Sequence, residues 1–143
     1  MLYLGLGSNL GERKKNLEGA ISLISQNIMA VTKRSSIMET EPLLPENYED
    51  DWKDKYHLNM VIGGTPHKDF EPEELLAEVK KIEAQLGRKP AATWAPRIID
   101  IDILAWGDLK YESATLTIPH KELLKRDFAL KPLLEINPKW VHP

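Results

Sequence analysis

Trp94-Ala95-Pro96-Arg97-Ile98-Ile99-Asp100-Ile101-Asp102-Ile103-Leu104 is the stretch on which the fold turns. Ile99, Ile101 and Ile103 alternate with Asp100, Asp102 and Leu104, and a period of two belongs to a β-strand with two unlike faces. The β-branched face must be buried. The other face carries two carboxylates roughly 6.5–7 Å apart at the usual rise per residue. Like charges at that spacing repel, and a cation beside them removes the cost. A solvent-facing strand edge is the plainer alternative. Asp is disfavoured in strands, however, and two of them among isoleucines contradict local propensity, which tends to mark function. Hard oxygen ligands in a chain without cysteine favour Mg²⁺ over zinc.

Two arginines flank this strand. Arg97 lies three residues before Asp100, and Arg88 opens the basic, Pro-containing loop 88–96. Alone, each reads as a surface ion-pair partner. Beside an acidic metal site they supply the charge neutralisation and bidentate clamping that phosphoryl transfer needs. The chain has no Gly-x-x-x-x-Gly-Lys-Ser/Thr run, so a P-loop kinase is excluded, and Gly5-x-Gly7 is too short to name a nucleotide motif. Trp94 has little apolar company and fits a mobile cover over a ligand. His120 after Pro119 reads equally as a helix cap, and Phe128, by pattern, as core.

Further out, Leu2, Leu4 and Leu6 alternate into a first strand that ends glycine-rich. Asn9 and Glu12 are spaced like a capping box. A helix then runs to about Gln26 with Leu17, Ala20, Ile21 and Ile24 on its apolar face. Residues 29–40 read as one polar edge strand, 41–55 as a long acidic loop, and 56–64 as a third strand. Pro72 opens a second helix with a stripe of Leu75, Leu76, Val79, Ile82 and Leu86, stopped by Gly87. Gly107-Asp108 signals a turn, 109–118 a short hairpin arm, and 121–134 a short helix or two. The order βαββαβ predicts an α+β sandwich of the ferredoxin-like type, a mostly antiparallel sheet with both helices on one face. The other face is expected to stay free, with Asp100, Asp102 and Asn59 on it.

At 143 residues the chain suits a single domain over 1–143. A net charge of -3 opposes a general nucleic-acid binder. The absence of cysteine excludes thiolate metal sites and cysteine nucleophiles. No apolar run approaches the roughly 20 residues that span a bilayer, and the first strand lacks a basic leader, so a cytoplasmic protein is expected.

Together these residues resemble a family, the 6-hydroxymethyl-7,8-dihydropterin pyrophosphokinases of folate biosynthesis. The resemblance runs through Leu6-Gly7-Ser8-Asn9-Leu10, Thr40-Glu41-Pro42-Leu43, His57-Leu58-Asn59, Ile82-Glu83, Gly87-Arg88, the Trp94 to Asp102 block, Ile118-Pro119-His120 and Arg126-Asp127-Phe128. It implies transfer of pyrophosphate from ATP to the pterin hydroxymethyl group, releasing AMP. It further implies two Mg²⁺ ions on Asp100 and Asp102, with Arg88 and Arg97 clamping phosphates. Glu83, Arg88, Trp94, Arg97, Ile103, His120 and Arg126 would meet ATP. Thr40, Pro42, Leu43, His57, Asn59, Trp94, Asp100 and Phe128 would meet the pterin. Relatives are sometimes fused to dihydropteroate synthase; an isolated domain is expected to be monomeric, free of nucleic acid and membrane. The chain departs from the pattern at His57, where Tyr or Phe is frequent, at Thr93, where Arg is frequent, and at Lys121, where Tyr is common. Its loop from Arg88 to Trp94 is one residue short, and ATP is expected to organise that loop by binding first. A non-catalytic ferredoxin-like binding module is opposed by aspartates where an RNA reader places aromatics. A nucleotide-sugar transferase using Asp-x-Asp is opposed by length.

Overall fold

The computed structural model describes residues 1–42, 44, 55–90 and 95–143. The acidic run of the 41–55 loop, Leu43, Thr93 and Trp94 lie outside the described residues. Strand β1 is Leu2–Ser8, helix α1 Arg13–Asn27, β2 Met29–Arg34, β3 Met38–Thr40, β4 His57–Pro66, α2 Pro72–Gln85 and β5 Asp100–Trp106. A hairpin of β6 (Tyr111–Glu112) and β7 (Thr117–Ile118), a short 3-10 helix (Leu123–Lys125) and α3 (Asp127–Ile136) follow.

The main sheet runs β2-β4-β1-β5, with β3 pairing β4 beyond β2's end, and its strand pairs are antiparallel. This is the expected ferredoxin-like arrangement. Ile99, Ile101 and Ile103 bury into the main core with Leu17, Ala20, Ile21 and Ile24 of α1 and Leu75, Val79 and Ile82 of α2. Leu76 and Leu86 pack against that core from a partly exposed position. Helix α2 starts as its sequence dictates. Pro72 sits in its first turn, and Glu71 and Glu74 form a reciprocal capping box.

Three expectations need correction. Asn9 does not cap α1; its side chain is committed elsewhere, and Glu12 at the cap position makes no side-chain cap bond. The 29–40 strand is broken in two at Ser35-Ser36. There the Ser35 N–H still donates to Val61 O, while the Ser35 hydroxyl accepts from Val61 N–H in place of a backbone carbonyl, so the side chain replaces one ladder bond. Nor is the second sheet face free. Ala129 and Leu133 of α3 and Leu123 pack there on Tyr3, Val61, Leu104 and Ala105. A bulge in β5 makes this possible: the register against β1 shifts between Tyr3 and Leu4, which turns both Leu104 and Ala105 onto the α3 side. Helix α3 therefore covers one end of the face and leaves the carboxylate end open.

Candidate functional site

Strand register builds the open end residue by residue. Across three strands Asn59 faces Gly7, which faces Asp100; in the next row on this face Val61 faces Gly5, which faces Asp102. Side chains opposite one another project from the same face of a sheet. The β1 positions between the carboxylates and β4 are thus glycines, and the face is hollow there. A Cβ at Gly7 would sit 3.2 Å from Asn59 Oδ1, and one at Gly5 would meet Leu104 at 3.2 Å. The hollow is a cavity of about 330 Å³ whose walls include Thr40, His57, Asn59, Arg97, Asp100, Asp102, Arg126 and Phe128.

A second cavity, about 250 Å³, lies on the other side of edge strand β5. Leu76 and Lys80 of α2, Ile101, Asp102 and Ile103 of β5, the hairpin residues Ser113 to Thr117, and His120 and Lys121 enclose it. Asp102 belongs to both cavities.

The carboxylates are held unequally. Asp100 Oδ1 takes a hydrogen bond from Arg88 at 3.0 Å and lies 3.7 Å from Arg97 Nη1. Asp102 has no ion pair among the described residues. Burial, and secondly the Asp100 charge, push its carboxyl up to about 7. The residue as a whole is half-buried, and it borders both cavities. A carboxylate short of positive charge, next to one already paired, fits a divalent cation. Among the described residues no group of three or more His, Cys, Asp or Glu is placed to hold a metal ion by itself. A two-carboxylate set suits Mg²⁺, which keeps waters and takes its other ligands from substrate phosphates.

Arg88 is aimed by what precedes it. Gly87 adopts φ +98, and the Arg88 N–H returns to Glu83 O at 3.0 Å. The guanidinium also pairs with the Glu83 carboxylate, which is 2% exposed. That same carboxylate accepts the Ile101 N–H at 2.9 Å and pairs with Lys80 at 3.2 Å. Glu83 lines neither cavity. It is a buried strut joining α2, β5 and Arg88.

On the other wall, the Asn59 amide nitrogen points at Met38 O (3.5 Å) and the Thr40 hydroxyl (2.9 Å). A carbonyl can only accept, so this fixes the amide orientation and leaves Oδ1 above Gly7 as an acceptor in the cavity. Asn9, missed as a site residue, is 4% exposed and ties three segments together. Its Oδ1 accepts the Arg97 N–H at 2.8 Å, and its Nδ2 donates to Lys55 O and faces His57 Nε2 at 3.3 Å. The useful signal was an asparagine directly after a glycine-rich strand end.

His57 and His120 are both less basic than usual, mainly through burial. His120 Nδ1 accepts the Glu122 N–H at 3.1 Å, so the neutral ring carries its proton on Nε2. The His120 backbone is anchored in turn to Leu104 O at the bulge. The Arg126 guanidinium stands 5.7 Å from the centroid of Phe128. Of the expected residues, Ile103 and His120 lie in the smaller cavity, and Thr40, His57, Asn59, Arg126 and Phe128 in the larger. Pro42 is not among the lining residues of either, and Leu43 and Trp94 lie outside the described residues. The hairpin wall, Leu76 and Lys80 were not foreseen.

A family model described as 7,8-dihydro-6-hydroxymethylpterin-pyrophosphokinase (HPPK) matches residues 3–138. The 2-amino-4-hydroxy-6-hydroxymethyldihydropteridine pyrophosphokinase of Aquifex aeolicus (strain VF5) is 39% identical over 142 residues, covering 99% of this chain and 83% of that protein. The Bacillus subtilis (strain 168) protein of the same name is 39% identical over 135 residues, 94% of this chain and 76% of that one. The folate synthesis bifunctional protein of Chlamydia trachomatis serovar D is 38% identical over 94% of this chain, which spans only 30% of it. A crystal structure of wild-type Plasmodium falciparum HPPK-DHPS superposes with a TM-score of 0.74 at 18% identity, over 99% of this chain and 42% of that one. At that identity the likeness concerns the fold.

Proposed function

This chain belongs to the 7,8-dihydro-6-hydroxymethylpterin-pyrophosphokinase family, and on that premise we propose that it moves pyrophosphate from ATP to 6-hydroxymethyl-7,8-dihydropterin in folate biosynthesis. The observation that carries the reading is Asp102 standing in the wall shared by two cavities. The larger takes the flat pterin, the smaller takes ATP, and the reacting atoms meet over the carboxylates. The hydroxymethyl oxygen attacks the β-phosphorus, the bridge between α- and β-phosphates breaks, AMP leaves with the bridging oxygen, and the alcohol proton is released.

Each residue has a part in that transfer. Asn59 Oδ1 accepts from the N–H edge of the pterin, held by Thr40 and given room by Gly7. His57 and Phe128 line the cavity that receives the ring, where an offset aromatic contact contributes roughly 0.5–1.5 kcal/mol beyond burial. Asp100 and Asp102 would hold Mg²⁺, two ions in our assignment, whose chemistry there is to neutralise phosphoryl charge and make the alcohol more acidic. Arg88 and Arg97 trade part of their contact with Asp100 for phosphate oxygens as charge builds. His120 donates Nε2–H to a phosphate, and Arg126 adds a cation between Phe128 and the polyphosphate. We further infer that residues 1–143 form one catalytic domain, monomeric when isolated, that works in the cytoplasm.

The test is incubation with ATP, Mg²⁺ and the pterin alcohol, with nucleotide and pterin products resolved by mass. AMP and a pterin carrying two added phosphates, in equal amounts, support the proposal. ADP with a singly phosphorylated pterin, or no turnover, refutes it.

A further inference from the structure

Glu73, Leu76, Lys80 and Glu83 recur along α2 at spacings of three, four and three, which places them on one stripe of the helix. Glu83 braces β5 and Arg88, and Leu76 and Lys80 line the smaller cavity. Glu73, one turn before Leu76, faces the β6–β7 hairpin. Its carboxylate collects hydroxyl hydrogens from Thr115 and from Ser113 at 3.1 Å. Strands of two residues each are marginal in water without something to hold them. Inside the hairpin, the Ser113 oxygen accepts from the Thr115 and Leu116 N–H groups at 3.2 and 3.1 Å, so a single serine links the loop tip to the helix. The loop so fixed, from Ser113 to Thr117, is the wall of the smaller cavity opposite Leu76.

We propose that Glu73 is a positioning residue for the nucleoside end of ATP: by latching the hairpin to α2 it sets the width of the slot between Leu76, Ile103 and Leu116. This rests on the assignment of the smaller cavity to ATP. The slot offers aliphatic faces and loop backbone groups, which suit a planar base. The phosphates would reach Asp102 and His120, which line the same cavity. Glu73 touches neither substrate. Its loss loosens the base slot without disturbing the metal carboxylates or the pterin cavity.

The experiment compares wild type with Glu73→Ala and Glu73→Gln. It measures KM for ATP, KM for the pterin and kcat, and measures binding of a non-hydrolysable ATP analogue and of inorganic tripolyphosphate by calorimetry. Hydrogen bonds to an exposed charge are modest, so the expected loss in Glu73→Ala is roughly three- to tenfold in KM for ATP and in analogue affinity. The pterin KM, kcat and tripolyphosphate affinity should stay within twofold, and Glu73→Gln, which keeps one acceptor oxygen, should fall between. Amide exchange over 111–118 should quicken in Glu73→Ala while that of β1 and β4 is unchanged. Unchanged analogue affinity in Glu73→Ala, or an equal loss of analogue and tripolyphosphate binding, overturns the latch while the activity stands. A wild-type protein that binds no ATP analogue overturns the assignment of the cavity and the latch with it. If Glu73→Ala does not fold, Glu73→Gln with unchanged exchange over 111–118 and unchanged analogue affinity overturns it as well.

Discussion

Replacing Asp102 with Asn should destroy turnover and yet make the ligand-free protein more stable at pH 8. Burial and the Asp100 charge push the folded carboxyl up to about 7 from an ordinary 3.8, a gap of roughly three pH units. At about 1.36 kcal/mol per unit the ionised side chain costs the folded state up to about 4 kcal/mol, and solvent at the mouth of the cleft lowers that to roughly 2 kcal/mol. The sign follows from proton counting. Between pH 3.8 and 7 the folded chain keeps a proton that the unfolded chain releases, so stability is full below the lower value and declines until the upper one is passed. Asn carries no such proton and no such charge. Thermal unfolding of the two proteins from pH 4 to pH 8 is the assay. For a chain of this size the melting temperature of Asp102→Asn should exceed wild type by roughly 4–8 °C at pH 8, with the difference shrinking toward pH 4. His57 and His120 titrate in both proteins and cancel in the comparison. A variant less stable than wild type at pH 8, or a difference that does not change with pH, refutes the claim that Asp102 is held at an energetic cost for the sake of its ligand.

Asp100→Asn should lower kcat/KM by roughly 10²–10³, because it removes the negative charge proposed to hold the metal and leaves Arg88 and Arg97 only a neutral acceptor; steady-state kinetics with both substrates decide it. Glu83→Ala should cost roughly 3–5 kcal/mol in urea unfolding, since it strips a buried carboxylate from Arg88, Lys80 and Ile101 N–H at once; a loss under 1 kcal/mol would mean it is no strut. Gly7→Ala should raise the pterin KM several-fold and leave ATP affinity unchanged, because the new methyl crowds Asn59 Oδ1; equal effects on both substrates would contradict the division of the cavities.

The alternation of Ile99, Asp100, Ile101, Asp102 and Ile103 encodes a local property, the strand's two faces, and the structure places all five residues as that alternation requires. The helix stripes were legible for the same reason. What could not be read is what depends on distant partners. Asn9 sits at capping-box spacing from Glu12, but its amide is worth more bridging Lys55, His57 and Arg97, and nothing within four residues announces them. The break at Ser35 contains no Gly or Pro and depends on Val61. The bulge at Leu104 shows only in the pairing with β1, so the covering of the second face by α3 was hidden too. Ser113 to Thr117 reads as turn composition; only the packing of the hairpin against α2 makes it a cavity wall.

The central claim is that one carboxylate pair joins a pterin cavity to a nucleotide cavity. A crystal structure with Mn²⁺, a non-hydrolysable ATP analogue and the pterin tests it most directly. Anomalous density should lie between Asp100 and Asp102, with the pterin beside Asn59 and Phe128 and the nucleoside between Leu76 and Leu116. Metal bound elsewhere, or both organic ligands in one cavity, would contradict the account.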